Sequence, residues 1–301
     1  MVRKHARRAV KAAFALALGI PLVLGGTANA KSTSPTITVG TKNFTEAYVL
    51  GQLYYQALKA KGFKVAYKEN LGSSEIADTA LTSGKINFYP EYTGVIALDL
   101  AHAQAQTSAA QNYATAKAFE EKRGYTLLNQ TPFFDADSFA VLKTTAAKYG
   151  LKTISDLKKV PKLSYAGYPE CKKRPTCLLG FKNTYGLKTI KFVQLGTIPV
   201  ETLIDNGAVT GGDIFTTEPA FATGKYVALQ DDKHIFGFQN VAPVTSKSLV
   251  TALGSKFTSA VNAVSAKLTN AAMIAMNKAV AVDKKTPASV AKQFLQANGL
   301  L

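Results

Sequence analysis

Short β-branched or aromatic runs that alternate with helical stretches constrain this chain more than any other feature. Residues 36–40 read as a strand. Between Glu46 and Lys61, the side chains Val49, Leu50, Leu53, Tyr54 and Ala57 fall on one helical face, and Gly62 stops the helix. Residues 63–67 read as a strand, 73–83 as a helix capped by Ser73 or Ser74, and 86–89 as a third strand. This β-α-β-α-β order implies a parallel sheet with helical crossovers. A helix over 107–123 and a strand over 125–128 follow. A second α/β pattern begins near Ser138, with strands at 139–142, 163–166, 190–194 and 213–216 and helices after Thr153 and at 178–185 and 200–206. A strand at 241–244 precedes three closing helices at 257–268, 270–282 and 287–297. No Pro/Gly/Ser-rich linker and no solenoid-length repeat interrupts the run. That suits two lobes sharing one ligand, held at the carboxyl ends of the strands.

Length agrees, since 301 residues allow about two domains or one domain of two lobes. An apolar content of 47% excludes a disordered chain. The first thirty residues have the order of a secretory signal peptide: Arg3 to Lys11 is basic, Ala12 to Leu24 mostly apolar, and Ala28-Asn29-Ala30 is a small-x-small cleavage site. The apolar run is too short to span a bilayer, which needs roughly 20 residues. The mature chain is expected to begin at Lys31, with no cysteine there to take a lipid anchor. The leader holds five basic side chains and no acid, so its removal lowers the formal charge from +17 to +12. Lys and Arg are scattered, with Lys172-Lys173-Arg174 the longest cluster and no nucleic-acid-binding motif beside them. A solvated basic surface is the expectation, and no nucleic-acid partner.

Catalytic signatures are missing. The chain has no phosphate-binding Walker loop, dinucleotide fingerprint, G-x-S-x-G or H-E-x-x-H. His102 and His234 stand alone. Two cysteines cannot build a four-cysteine zinc site, so no metal, no cofactor and no enzyme activity are expected. In an oxidising compartment, Cys171 and Cys177 should form a disulfide that fixes Arg174 in its loop.

The strongest constellation lies at two strand ends. Thr41-Lys42-Asn43-Phe44-Thr45-Glu46 opens one helix, and Pro90-Glu91-Tyr92-Thr93-Gly94 opens another. Helix N-termini with a lysine suit an anionic group, and a tyrosine face suits a cation. At these residues the chain resembles the binding proteins of ABC importers for quaternary-ammonium osmoprotectants such as glycine betaine, choline, carnitine and proline betaine. The matching stretches are Gly40 to Glu46 (GTKNFTE), Asn70 to Ser74 (NLGSS), Tyr89 to Gly94 (YPEYTG), Ile154 to Leu157 (ISDL), Phe215 to Pro219 (FTTEP) and Asp231 to Lys233 (DDK). They occur in family order and cover essentially the whole mature chain.

The resemblance implies an α/β fold of two lobes, the type II periplasmic-binding-protein fold. Its ligand lies in the interlobe cleft, which closes by a hinge. One lobe would span 31–135 plus 238–301, the other 136–237. In betaine-binding relatives a lysine and an arginine hold the carboxylate, and these match Lys42 and Arg174. A threonine contact in the family falls on Val95 here. Of the four cage tyrosines, the first matches Tyr92, the second Asp137, the third Phe215 and the fourth Gln239. An aspartate near the cage in some members matches Asp135. Phe133, Phe134, Phe236 and Phe238 are alternative rings beside the two departures. Tyr92 and Phe215 are expected at the ligand's cationic end, with Lys42 and Arg174 at its anionic end. Asp137 and Gln239 make the cage more polar, so a zwitterionic or cationic small solute is a firmer expectation than glycine betaine. The implied partners are that solute and the membrane permease and ATPase subunits, with the protein itself a monomer outside the cytoplasm. A ligand-sensing receptor of the same fold and an exported basic surface-binding protein remain the alternatives.

Overall fold

The computed structural model describes residues 34–301. The leader expected over residues 1–30 and the start at Lys31 lie outside the described residues. Two five-stranded sheets organise the rest. The first contains β1 (Ile37–Gly40), β2 (Val65–Lys68), β3 (Phe88–Tyr92), β4 (Tyr125–Leu127) and, from later in the chain, β10 (Val241–Ser246), in the order β2-β1-β3-β10-β4. The second contains β5 (Ala140–Leu142), β6 (Ser164–Gly167), β7 (Lys191–Gln194), β8 (Gly211–Gly212) and β9 (Tyr226–Ala228), in the order β7-β6-β8-β5-β9. The chain therefore passes between the sheets twice.

Neither sheet is wholly parallel. β1 runs parallel to β2 and β3, but β10 is antiparallel to both β3 and β4. In the second sheet β6 is parallel to β7 and β8, and β5 is antiparallel to β8 and β9. The antiparallel strands are those that follow a passage between sheets, where no helical crossover fixes direction. β3 also runs on to Tyr92, past the expected end at residue 89. Pro90 of β3 faces Pro243 of β10, so no N–H is missing from the bonds between these two strands at any other pair, and on the β4 side Leu128 N–H still donates to the Pro243 carbonyl at 2.9 Å.

The helices are α1 (Thr45–Ala60), α2 (Ser74–Thr82), α3 (Ala109–Lys122), α4 (Lys143–Tyr149), α5 (Leu178–Asn183), α6 (Val200–Asp205), α7 (Lys247–Ser265), α8 (Asn270–Ala281) and α9 (Pro287–Ala297). α1 buries the apolar face read from its sequence, packing Leu50, Leu53 and Tyr54 in one core with Phe257, Met273 and Leu295 of the closing helices. The second sheet has its own core around Phe139, Tyr165 and Phe181, whose ring centroids lie 4.7–5.4 Å apart.

Three elements depart from the sequence reading. α4 buries no residue, so it carries no apolar period to detect. α7 starts at Lys247 rather than 257, and Gly254 at φ 65° breaks it, which hid its first half. The strand expected over 213–216 is instead β8, just upstream. A Cβ on Gly211 would lie 2.5 Å from both the Phe139 ring and the Ala140 carbonyl, so only glycine fits there. Among the described residues, no helix is long and apolar enough to cross a membrane.

Cys171 and Cys177 are bonded, with Cα atoms 5.2 Å apart. The loop they close is short, so its removal from the unfolded ensemble is worth about 2.4 kcal/mol at most. Urea unfolding of wild type and of the double variant Cys171→Ser/Cys177→Ser is expected to differ by up to that amount. Adding reductant should abolish the difference. A reductant-independent midpoint in wild type would contradict a structural disulfide.

Candidate functional site

The ends of the strands deliver one set of side chains to one cleft. Lys42, Asn43 and Phe44 follow β1, Tyr92 ends β3, Tyr168 follows β6, and Asp213 and Phe215 follow β8. The passages between sheets add Asp135, Asp137 and Gln239, and the disulfide loop adds Arg174. The cleft has a volume of about 650 Å³, part of it open to solvent. Its position at the carboxyl ends of the parallel strands is where open α/β sheets bind ligands.

Four rings form a row along this cleft. Tyr92 and Phe44 have centroids 6.3 Å apart, Phe44 and Phe215 5.5 Å, and Phe215 and Tyr168 6.1 Å, with planes inclined by only 20–23°. Two of these rings come from the first-sheet side and two from the second. The Lys42 ammonium lies 4.2 Å from the Tyr92 centroid and 5.3 Å from that of Phe44. A cation therefore already rests on the tyrosine face. The Tyr92 hydroxyl donates to Glu46 Oε1 at 2.6 Å.

Both cations of the cleft are paired within the protein. Lys42 Nζ donates to buried Glu91 Oε1 at 2.5 Å and to Ser74 Oγ at 3.2 Å. Arg174 donates through Nε and Nη2 to the two oxygens of Glu75, each at 3.1 Å, and its Nε lies 3.9 Å from Asp99. Thr176, also between the two cysteines, donates to the Asp99 carboxylate at 2.8–2.9 Å. The disulfide loop thus clasps α2 and the short π-helical segment Val95–Leu100 that carries Asp99. Partial burial would raise the Glu75 carboxyl, but the Arg174 bonds and charge, with Ser73, bring it down to about 2. Burial raises Asp99 to about 7, against the pull of Arg174 and Thr176.

The remaining acids face the cleft without such partners. Asp135 accepts Thr216 Oγ1–H and Thr217 N–H at Oδ1. Asp213 Oδ1 accepts Ser138 N–H at 3.4 Å. Burial raises both the Asp137 and the Asp213 carboxyl, with the Arg174 charge pulling Asp137 back and the Asp137 charge pushing Asp213 further up. Asp135 is likewise raised by burial and then by the nearby charge of Glu46.

The family model for the substrate-binding domain of ABC-type glycine betaine transport systems matches residues 35–297. The chain belongs to this family. A glycine-betaine-binding protein of Pseudomonas aeruginosa is 30% identical over 278 residues, covering 88% of this chain and 89% of the relative. A carnitine transport binding protein of Listeria monocytogenes is 24% identical, covering 89% and 88%. A solved glycine betaine/carnitine/choline ABC transporter structure superposes with a TM-score of 0.70 at 23% identity, covering 88% of this chain and 99% of that one. The fold is the two-sheet type II periplasmic-binding-protein architecture, and the family is one of transport components, not enzymes.

In this substrate-binding domain, all seven residues singled out from sequence line the same cleft: Lys42, Tyr92, Asp135, Asp137, Arg174, Phe215 and Gln239. Val95, where the family's threonine contact falls, lines it too. Two placements differ from expectation. Lys42 lies against the Tyr92 ring, not at the far end of the cleft from it. Gln239 is committed to backbone: its Oε1 accepts Val95 N–H, and its amide donates to the Phe236 carbonyl. It packs so close that a Cβ on Gly94 would lie 2.5 Å from it. The alternative rings Phe133, Phe134, Phe236 and Phe238 do not line the cleft. Phe44 and Tyr168 do, and the sequence reading did not select them as cage rings. Each follows the end of a strand by a few residues, and that placement was the available signal.

Asp99 gives a pH test of the clasp. An unfolded aspartate titrates near 4, so between about pH 4 and 7 the folded chain holds a proton that the unfolded chain has lost. The stability carried by that protonated form is lost as pH rises through this window. Asp99→Asn should therefore lose less stability than wild type between pH 4.5 and 7.5, measured as urea midpoints. Parallel pH profiles would show that Asp99 is ionised throughout.

Proposed function

We propose that this chain is the exported solute-binding subunit of an ABC importer for a small organic cation or zwitterion of the glycine betaine, choline and carnitine kind. The observation that carries the reading is the row of four rings in a cleft that also holds unpaired carboxyls. π-Faces and negative charge together favour an organic cation. The names of the relatives for glycine betaine and carnitine support the same class.

In this reading, residues 31–135 with 238–301 make one lobe and 136–237 the other, hinged at the two passages. Tyr92, Phe44, Phe215 and Tyr168 line the cationic part. Lys42, Arg174, Asp135, Asp137 and Gln239 set its polar boundary. Residues 1–30 act as a cleaved leader, and the mature protein works outside the cytoplasm as a monomer. Its partners are a membrane permease and an ATPase.

A thermal-shift screen of betaines, choline, carnitine, amino acids and polyamines tests this. A ligand at 100 times its dissociation constant adds about 2.7 kcal/mol, so at least one compound should raise the melting temperature clearly. Phe215→Ala should then weaken that compound by about 0.5–2 kcal/mol in calorimetric titration. Phe134→Ala, at a ring 48% exposed and outside the cleft, should leave it unchanged. A screen with no stabilising compound, or equal losses in the two variants, would contradict the assignment.

A further inference from the structure

Charge matching in the cleft is one-sided. Lys42 is held by Glu91 and Arg174 by Glu75, so the protein has already answered the two cations that line the cleft. Asp135, Asp137 and Asp213 line the same space and, among the described residues, none of them is in an ion pair. Asp135 is only 4% exposed, yet its second oxygen, Oδ2, takes no hydrogen bond from the protein. Asp213 is 5% exposed, and among the described residues Ser138 N–H, at 3.4 Å, is the donor its carboxyl takes. Carboxyl oxygens that line the cleft without a protein donor are open to a donor that arrives with the ligand.

A fully methylated ammonium cannot supply that donor. It offers only C–H groups, which satisfy a π-face but not a carboxylate lone pair. Rings alone would be neutral on this point; the carboxyls beside them are not. Resting on the solute-binding reading above, we infer that the Asp137–Asp213 pair, with Asp135, selects an organic cation that carries at least one N–H, such as a protonated amine or a guanidinium, over its quaternary analogue. The rings hold the cation's apolar surface, and the carboxyls take its N–H bonds as charge-assisted hydrogen bonds. A ligand carboxylate is secondary here, because it would have to displace Glu75 from Arg174 or share that side chain with it.

Two methylation ladders test the inference by calorimetric titration of the full mature chain. One runs from ethanolamine through its N-methyl and N,N-dimethyl forms to choline. The other runs from glycine through sarcosine and dimethylglycine to glycine betaine. In wild type, removing the last N–H should cost tenfold or more in affinity on the ladder that binds, the discrimination expected of a lost charge-assisted bond. Asp137→Asn should shrink that step by weakening the N–H-bearing members most. Asp137→Tyr should reverse it in favour of the quaternary member. Thermal unfolding of each variant confirms that it is folded, and the wild-type ladder alone already decides if either is not. Choline or glycine betaine binding as tightly as its dimethyl analogue would overturn the inference and leave the solute-binding reading standing. A step unchanged in folded Asp137→Asn would overturn it as well. No binding anywhere on either ladder would overturn the inference, and the solute-binding reading would then rest on the thermal-shift screen.

Discussion

Glu46 is the buried carboxylate on which the two sheets meet. It sits in the first turn of α1, where the helix N-terminus favours a negative charge. Three donors converge on it: the Tyr92 hydroxyl from β3, Thr217 Oγ1 from the segment after β8, and Asn277 Nδ2 from α8. Thr217 belongs to the second-sheet side and the other two to the first. Burial still pushes the carboxyl upward, so these donors are what make the position tolerable. Fixing the Tyr92 hydroxyl fixes its ring, and the row through Phe44, Phe215 and Tyr168 takes its direction from that ring.

The opposite end of the cleft is fixed by the disulfide loop. Arg174 and Thr176 sit between the two cysteines and reach Glu75 and Asp99. The loop in turn lies against α5, where a Cβ on Gly180 would fall 2.2 Å from the Pro175 carbonyl. Covalent closure, a glycine contact and an arginine fork thus hold one short segment in place. Ordering these groups before a ligand arrives removes part of the entropy cost of binding.

Much of this was legible before any coordinates. The face of α1 followed from its apolar spacing, and α9 fell at residues 287–297 as read, because Pro287 and the Thr286 cap mark its start. Lys42, Tyr92 and Arg174 were found because each sits in or beside a recognisable short stretch. Asp213 and Tyr168 were not, although Asp213 stands two residues before the FTTEP stretch; what brings them to the cleft is the alignment of strand ends. β8 escaped for a related reason. Its two glycines have no β-propensity, and their place in the sheet is dictated by Phe139 and Ala140 from another strand. Pairings across the cleft, such as Arg174 with Glu75, depend on tertiary distance and have no local signature.

The central claim is that a solute binds between the two sheets and touches both. Hydrogen–deuterium exchange, with and without the compound that stabilises the protein most, tests this directly. The account predicts added protection at residues 41–46 and 92–95 on one side and at 168–177 and 213–217 on the other. Protection confined to one sheet, or lying away from these strand ends, would contradict it.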